Sequence, residues 1–253
     1  MIKIILSGCN GRMGQAISRL VEANGDCEIV CGFDIYTERK NTYPVFSNYA
    51  EFDGDADVLI DFSNPSNFDA VTTFVRQRKL PCVIATTGLN KDQVAQISAL
   101  SQTNAVFYSA NMSLGVSLIT ELASRAARLL NGNFDIEIIE KHHNQKLDAP
   151  SGTALAIADA ISESLSEAPK YIYDRHSVRK KREPNEIGIH AIRGGTIVGE
   201  HSVLFAGNDE IIEIKHTATS REVFAVGAIK AAMFLAEKPA GMYSMKDLVN
   251  ELA

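Results

Sequence analysis

Cysteine is scarce in this chain of 253 residues, and its four copies form no recognisable disulfide or metal-binding pattern. No two of them form a C-x-x-C pair, and three lie in apolar, strand-like runs; they are Cys9, Cys27, Cys31 and Cys82. The histidines supply no i, i+4 helical pair that could replace them as zinc ligands. We therefore interpret the cysteines as small buried hydrophobic side chains in a reducing compartment, and we expect no disulfide and no metal.

Long hydrophobic runs, internal repeats and low-complexity segments are absent as well. The first apolar run, Ile2–Leu6, is too short for the core of a signal peptide and is broken at Gly8. No later segment is long enough to cross a membrane as a helix. With 45% hydrophobic and 22% charged residues, the chain has the composition of an ordinary soluble globular protein, and we expect it in the cytoplasm.

An excess of positive charge is also missing, since the formal net charge is −6 at pH 7. This balance argues against a surface built mainly for nucleic acid. An anionic ligand would have to be met by a local basic site instead. We interpret most of the densest basic run as a solvated loop; it consists of Arg175, His176, Arg179, Lys180, Lys181 and Arg182.

The N-terminal region begins with a pattern typical of nucleotide-binding domains. The strand-like run Ile2–Leu6 leads into glycines at positions 8, 11 and 14, an amphipathic helix follows, and a second strand, Cys27–Phe33, ends at Asp34. Strand, glycine turn, helix, strand and acid occur in this order in dinucleotide-binding units. The glycine spacing is G-x-x-G-x-x-G and not the usual G-x-G-x-x-G, so the flanking elements carry most of the weight.

Asp34 bears on the choice of nucleotide. A carboxylate at this strand end can accept hydrogen bonds from the ribose hydroxyls, which favours NAD. Arg39 and Lys40 follow closely and could meet a 2′-phosphate. The alternative interpretation of Asp34 is a simple strand-end turn.

Strands and helices continue to alternate up to about residue 112, which predicts an α/β, Rossmann-type parallel sheet. Further strands are expected at 58–62, 81–85 and 105–108, with helices ending near residues 78 and 101. Ligands of such sheets lie over the carboxyl ends of the strands. Candidate nicotinamide-side contacts are therefore Thr86, Thr87 and the turn Ser109-Ala110-Asn111-Met112.

The pattern changes near residue 112, which indicates a second domain. A long apolar helix at 113–130 is followed by strands at 134–139, 187–192, 197–205 and 211–217, which alternate apolar and polar residues with period two. We expect them to form an antiparallel or mixed sheet. The polar segment 168–186 is predicted to be a long loop, and helices at 221–237 and 246–252 complete the chain.

The most unusual stretch, 140–153, combines two adjacent histidines and two lysines. Histidine can give or take protons near neutral pH, and lysine adds a positive charge with three donors. His142, His143 and Lys146 are therefore candidates for a proton-transferring site that also holds an anion. In a regular strand the two histidines would face opposite sides, so we expect irregular backbone there if both serve the site.

A helix start completes this stretch. Pro150 interrupts the preceding element, and Ser151 is a good N-cap for the apolar helix that follows. We expect the amides of Gly152 and Thr153 to point out of the helix start, where an oxyanion can bind. Each of these residues taken alone is more often structural than functional, so the clustering carries the prediction.

Three motifs together resemble the 4-hydroxy-tetrahydrodipicolinate reductase (dihydrodipicolinate reductase) family. They are the turn Gly8–Gly14, the run Glu140–Ala154 and the segment Arg193–His201, and the resemblance covers essentially the whole chain. It implies a nucleotide domain made of residues 1–112 and 219–253, with a central α+β substrate-binding and oligomerisation domain, 113–218, that contains a mixed sheet. Family members are typically homotetramers built through the substrate-domain sheets.

The resemblance also implies an activity and the residues that perform it. The reaction uses NADH or NADPH to form tetrahydrodipicolinate from its 4-hydroxy precursor with loss of water, on the diaminopimelate route to lysine. His142 resembles the proton donor and acceptor, Lys146 a proton donor, and His143, Gly152 and Thr153 the contacts of a substrate carboxylate. The implied cofactor contacts are Gly8, Cys9, Asn10, Gly11, Arg12, Met13, Asp34, Ala85, Thr86, Thr87, Ser109, Ala110, Asn111 and Met112.

One departure from the family pattern affects the cofactor. Many relatives have Glu followed by Arg at the ribose position, whereas this chain has Asp34 followed by Ile35. Use of NADPH would depend on Arg12, Arg39 or Lys40. We expect NADH to serve at least as well as NADPH, because Asp34 would repel a 2′-phosphate. Two other functions stay open: a non-catalytic NAD(H)-sensing binding protein, and a two-domain dehydrogenase for another aspartate- or sugar-derived substrate.

Overall fold

The computed structural model describes residues 1–252, and the chain divides into two compact units. The first unit comprises residues 1–114 together with the segment from 221 onward, and the second comprises residues 115–220. The boundaries expected from the sequence, after residues 112 and 218, each lie two residues earlier. Within the part of the chain that is described, no helix is both long enough and apolar enough to cross a membrane.

The first unit is built on a seven-stranded sheet in which every pair of neighbours is parallel. Its strands are β1 (Ile2–Ser7), β2 (Cys27–Phe33), β3 (Val45–Phe46), β4 (Val58–Asp61), β5 (Cys82–Ile84), β6 (Ala105–Tyr108) and, from the C-terminal segment, β12 (Gly241–Tyr243). They are arranged in the order β12-β6-β5-β4-β1-β2-β3. The predicted parallel sheet is confirmed, while β3 and β12 were not expected because runs of two or three residues carry no periodic signal.

Helices cover both faces of this sheet. They are α1 (Arg12–Glu22), α2 (Phe68–Arg78), α3 (Lys91–Leu100), α6 (Glu222–Leu235) and α7 (Met245–Leu252). Successive residues of a strand point to opposite faces, so Ile4 and Leu6 pack with α1 and α6, whereas Ile5 packs with α2 and α3. This double burial explains why the strands are apolar throughout and not alternating.

The second unit contains a five-stranded mixed sheet with the order β11-β10-β7-β9-β8. Its strands are β7 (Asp135–His142), β8 (Lys170–Ile172), β9 (Glu186–Arg193), β10 (Gly199–Ala206) and β11 (Ile211–Ala218). The β7–β9 and β8–β9 pairs are parallel, and the β7–β10 and β10–β11 pairs are antiparallel. One face of the sheet packs against α4 (Leu114–Leu130) and α5 (Gly152–Ser164), as the period-two pattern predicts.

One expectation for this unit is corrected. The segment 168–186 is not a structureless loop, because it contains the edge strand β8. Most residues of its basic run are exposed, as expected. Two of them also form ion pairs: Arg175 contacts Glu137 at 2.8 Å and Glu186 at 2.9 Å, and Arg182 contacts Asp135 at 2.7 Å. These cations neutralise acidic residues that the sheet brings together, which the sequence pattern did not reveal.

Candidate active site

The glycine turn between β1 and α1 forms a tight backbone cradle. Gly8 has φ +77°, and a Cβ on it would lie 2.5 Å from the carbonyl oxygen of Phe62. A Cβ on Gly14 would collide with the carbonyl oxygen of Gly8. Side chains are therefore excluded from both positions, because neighbouring backbone already fills the space beside each glycine.

The start of α1 suits a phosphate group. Gly11 is the N-cap residue, and no side chain caps the helix there. The first amides of a helix lack intrahelical acceptors and carry the positive end of the helix dipole. A pyrophosphate placed at this turn would meet backbone donors, as in other dinucleotide-binding domains.

Asp34 lies beside the glycine turn, as predicted. Its carboxylate accepts hydrogen bonds from the amide of Asn10 at 2.9 Å and from the amide of Tyr36 at 3.0 Å. A cleft of about 520 Å³ opens here, lined by Asn10, Gly11, Asp34, Ile35, Tyr36, Glu38 and Arg39. Its place after β2 and its acidic group fit the adenosine ribose of a dinucleotide.

The other predicted cofactor contacts differ in exposure. The Cys9 side chain is fully buried, and burial together with Asp34 raises its pKa to about 12, so only the backbone of Cys9 could contact a ligand. The side chains of Ala85, Thr86 and Met112 are buried as well. Thr87 and Ala110 are exposed, while Met13, Ser109 and Asn111 are partly exposed.

A buried carboxylate at the same edge of the sheet was missed. Asp61, the last residue of β4, is 1% exposed and accepts a hydrogen bond from the Ser7 hydroxyl at 2.7 Å and from the Thr86 hydroxyl at 2.6 Å. It also accepts from the Ser63 amide at 3.2 Å. The only sequence signal is an acid at the end of an apolar strand, since the two hydroxyl partners, Ser7 and Thr86, are far from Asp61 in the chain.

In the second unit, His142 is the last residue of β7 and is buried with Glu140, which points to the same face of the strand. His142 Nδ1 lies 2.6 Å from Glu140 Oε2. Arg193 donates to both oxygens of Glu140 at 2.7 Å, and the Ser151 amide donates to Oε1 at 3.0 Å. Burial alone would raise the pKa of Glu140, but these hydrogen bonds outweigh burial and hold it below its usual value.

The strand ends immediately after His142, so His143 begins an irregular segment that runs to Ser151. The Asn144 amide donates to the Gly195 carbonyl at 3.2 Å, and the Gly194 amide donates to the His142 carbonyl at 2.9 Å. In a regular strand, His142 and His143 would point to opposite faces. This hydrogen-bonded turn interrupts the strand between them, so both side chains are free of that restriction.

Lys146 is paired with a carboxylate of its own chain. Its Nζ lies 2.9 Å from Asp148 Oδ1, and this contact is the main reason why the pKa of Asp148 is lowered. The backbone of Gly152 also hydrogen-bonds Asp148 and lowers the same pKa. The carboxylate of Asp148 thus already occupies the helix start at which an oxyanion was expected, and Ser151 caps α5 as predicted by accepting from the Ala154 amide at 3.1 Å.

A third histidine adjoins this cluster. His201 Nε2 lies 3.0 Å from the Ser151 hydroxyl, and the His201 ring centroid is 5.2 Å from that of His142. His201 is 4% exposed, and burial followed by the nearby His142 lowers its pKa to about 4. Sequence reasoning gave it no role beyond its place in the Arg193–His201 segment.

Comparison with known proteins agrees with the motifs. A family model described as dihydrodipicolinate reductase, N-terminus, matches residues 2–112, and one described as dihydrodipicolinate reductase, C-terminus, matches residues 115–249. The chain belongs to the dihydrodipicolinate reductase family. The change from one family model to the other coincides with the boundary between the two structural units near residue 114.

Individual members of this family match the chain over its whole length. A 4-hydroxy-tetrahydrodipicolinate reductase of Clostridium novyi is 50% identical over 250 residues, covering 99% of each chain. Another from Caldanaerobacter subterraneus is 50% identical over 255 residues, again covering 99% of each. A solved structure, a dipicolinate-bound dihydrodipicolinate reductase from Paenisporosarcina, matches with a TM-score of 0.81 at 28% identity, covering 99% of both chains.

Proposed function

We propose that this chain is an NAD(P)H-dependent 4-hydroxy-tetrahydrodipicolinate reductase of the diaminopimelate route to lysine. It converts (2S,4S)-4-hydroxy-2,3,4,5-tetrahydrodipicolinate to (S)-2,3,4,5-tetrahydrodipicolinate with loss of water. The observation that carries the proposal is the cluster of Glu140, His142 and Lys146 at the start of α5, on a chain half identical to reductases of that name. The four cysteines are all free and buried, which suits an enzyme of the cytoplasm.

The glycine turn and the cleft beside it are the proposed dinucleotide site. Gly8, Gly11 and Arg12 meet the pyrophosphate at the start of α1, and Asp34 accepts from the ribose hydroxyls. The reduced nicotinamide supplies a hydride when it is bound. The proposed nicotinamide-side contacts are the backbone of 85–87 and the turn 109–112.

The same cleft supports a preference for NADH. Asp34 is fixed by two backbone amides, so its carboxylate cannot easily turn away from a 2′-phosphate. Arg39 lines the cleft and is the cation that could offset this repulsion. We expect a kcat/KM for NADH at least equal to that for NADPH. A tenfold preference for NADPH would show that attraction of the 2′-phosphate by Arg39 outweighs its repulsion by Asp34.

The start of α5 is the proposed site for the substrate's carboxylates. The ammonium of Lys146 and the backbone of Gly152 already bind one carboxylate, that of Asp148. A substrate carboxylate would take over these donors, joined by His143 and Thr153. A cation and a helix start are both suited to anions.

Proton transfer is assigned to His142 and Lys146. Loss of the C4 hydroxyl and a C5 proton as water gives a conjugated imine. Hydride addition at C4 then leaves negative charge on the enamine system, and a positioned acid that returns a proton to C5 lowers the barrier. Glu140 faces Nδ1 of His142, so Nε2 is the nitrogen left to face a substrate. Fixed cations and amide donors near the developing charge lower the barrier further.

We also propose a homotetramer built through the open face of the second unit's sheet. This face is opposite the one covered by α4 and α5, and it carries apolar side chains among charged ones. Ile192 is 45% exposed and Ile211 is 67% exposed, and Ile139 and Leu204 share this face. A second copy would cover these side chains, and light scattering on the purified chain measures the assembly directly.

The deciding experiment couples the product of the preceding synthase to loss of NADH absorbance in the presence of the purified chain. Substrate-dependent oxidation of NADH is expected. Tight binding of NADH without oxidation would favour the alternative of a nucleotide-sensing protein. Oxidation with other aspartate- or sugar-derived substrates, but not with this one, would favour the other dehydrogenase.

A further inference from the structure

The carboxylate of Glu140 is not one of the proposed substrate contacts, but it has many partners. It is fully buried and is held by the two guanidinium nitrogens of Arg193, by the Ser151 amide and by the His142 ring. A buried carboxylate is costly unless it is paired and hydrogen-bonded. Here the bidentate arginine supplies the compensating charge with the geometry that suits a carboxylate.

This arrangement determines which ring nitrogen of His142 carries a proton. An ionised carboxylate can only accept hydrogen bonds, so the Nδ1 atom 2.6 Å away must be the donor. In the neutral ring the lone pair is then on Nε2, and in the charged ring the exchangeable proton is on Nε2. Proton exchange between His142 and a substrate therefore has to use Nε2.

The same pair of residues also holds both ends of the segment that carries Lys146. Arg193 donates to the carbonyl oxygen of Asp148 as well as to Glu140. Glu140 in turn accepts from the amide of Ser151, where the segment ends, and contacts His142, the residue before the segment begins. The ion pair thus connects the histidine, the lysine-bearing turn and the start of α5.

We propose that Glu140, held ionised by Arg193, is a positioning residue for the reaction: it keeps the proton of the neutral His142 ring on Nδ1 and presents Nε2 to the substrate. This inference rests on the proposed function for its catalytic consequence. The tautomer itself does not depend on that function and can be measured separately.

The chain supplies a matched control on the same strand. Glu137 lies 2.7 Å from His190 Nε2 and contacts Arg175 at 2.8 Å and Arg182 at 3.1 Å, so it is also a carboxylate between a histidine and arginines. It points to the opposite face of β7, away from Ser151. A generic loss of an ion pair should affect both sites, whereas loss of positioning should affect only Glu140.

The experiment compares Glu140→Gln and Glu137→Gln in the full chain. Nitrogen-15 NMR of labelled histidine reports the ring tautomer, measured at rising pH until the signals stop changing, with His142→Gln used for assignment. In the wild type we expect His142 to be protonated on Nδ1. In Glu140→Gln the side-chain oxygen keeps its donors, the Ser151 amide and one Arg193 nitrogen, only if the NH2 group faces the ring, so the proton should move to Nε2.

Kinetics test the consequence for turnover. Glu140→Gln should lower kcat by roughly 10²–10⁴-fold, the range seen when a catalytic imidazole is lost or held in the wrong tautomer, with the Kd for NADH changed less than about twofold. Glu137→Gln should leave both quantities near the wild-type values. Arg193→Lys keeps the charge but not the bidentate contact, so its kcat should lie between those of the two glutamine variants. It provides a second test if Glu140→Gln does not fold.

Two results would overturn the inference: a wild-type His142 ring protonated on Nε2, or a folded Glu140→Gln variant with near wild-type kcat. Arg193→Lys keeps the charge that holds Glu140 ionised, so its His142 ring should stay protonated on Nδ1, and a ring protonated on Nε2 in that variant would count equally against the inference. A wild-type chain without reductase activity but with the Nδ1 tautomer would instead refute the proposed function while leaving the positioning intact.

Discussion

Lys146 Nζ lies 2.9 Å from Asp148 Oδ1, so the cation assigned to a substrate carboxylate is paired with a carboxylate of its own chain. Asp148 also meets the backbone of Gly152, the second proposed contact of the substrate. A dicarboxylate entering this site must displace Asp148 from both groups. Breaking the Lys146–Asp148 pair therefore makes the free energy of substrate binding less favourable.

Replacing Asp148 should strengthen binding of dicarboxylates. In Asp148→Asn the ammonium of Lys146 no longer has an internal counterion, and the Kd of dipicolinate should fall by up to roughly fivefold, the scale of an exposed ion pair. Isothermal titration in the presence of NADH measures it. Asp135→Asn is the control, because Asp135 forms a similarly exposed pair with Arg182 at 2.7 Å. Equal or weaker binding by Asp148→Asn would show that Asp148 organises the site and does not compete for it.

The two proposed acids should be separable from nucleotide binding. His142→Ala and Lys146→Ala should each lower kcat with NADH by roughly 10²–10⁴-fold, the usual contribution of a positioned acid. The Kd for NADH, measured by fluorescence, should stay near the wild-type value in both. His176→Ala is the control because His176 lies exposed in the 168–186 segment. Near wild-type turnover in both variants would show that neither His142 nor Lys146 is the acid of the reaction.

His201 should make stability depend on pH. Its folded-state pKa is about 4, against a usual 6.5, because the neutral ring is buried. As the pH falls, His201 is therefore protonated in the unfolded chain before it is protonated in the folded chain. Its contribution to the free energy of unfolding is complete above about pH 6.5 and declines toward pH 4. His142, His216 and Lys146 oppose protonation, and Glu140 favours it.

The size of this effect can be measured by urea unfolding, followed by circular dichroism at pH 7 and near pH 4.5. On acidification the wild type should lose roughly 2–3 kcal/mol more than His201→Gln, from about 1.4 kcal/mol for each pH unit. Glutamine can preserve a contact with the Ser151 hydroxyl. His176→Gln should behave like the wild type, and an identical pH dependence in His201→Gln would show that other groups dominate acid unfolding.

Asp61, buried at the end of β4, should contribute both to the stability of the first unit and to its affinity for NADH. Asp61→Asn replaces one acceptor oxygen by a donor facing the hydroxyls of Ser7 and Thr86, so at least one buried bond is lost. The free energy of unfolding should fall by about 1–3 kcal/mol, and the Kd for NADH should rise because Thr86 is held less firmly. Asp57→Asn is the control, since Asp57 accepts from the Lys3 amide on the exposed side. Unchanged stability and affinity would refute the assigned role.

Local patterns in the chain were sufficient for much of this protein. The glycines between β1 and α1, the acid after β2, the period-two strands of the second unit and the Ser151 cap each depend on neighbours within a few residues. Such features are determined by backbone sterics and side-chain periodicity, which can be read along the chain. The short strands β3, β8 and β12 could not be read this way, because two or three residues contain no period.

Only the tertiary structure decided which distant residues meet. The pairing of β7 with β9 brings Arg193 to Glu140, 53 residues away, and the pairing of β4 with β5 places Thr86 beside Asp61, 25 residues away. Burial then fixes the chemistry, because charged groups removed from water must take the partners that the strand order offers. The residues of the proposed site were visible in the sequence, but the groups that orient and neutralise them depend on the order of the strands.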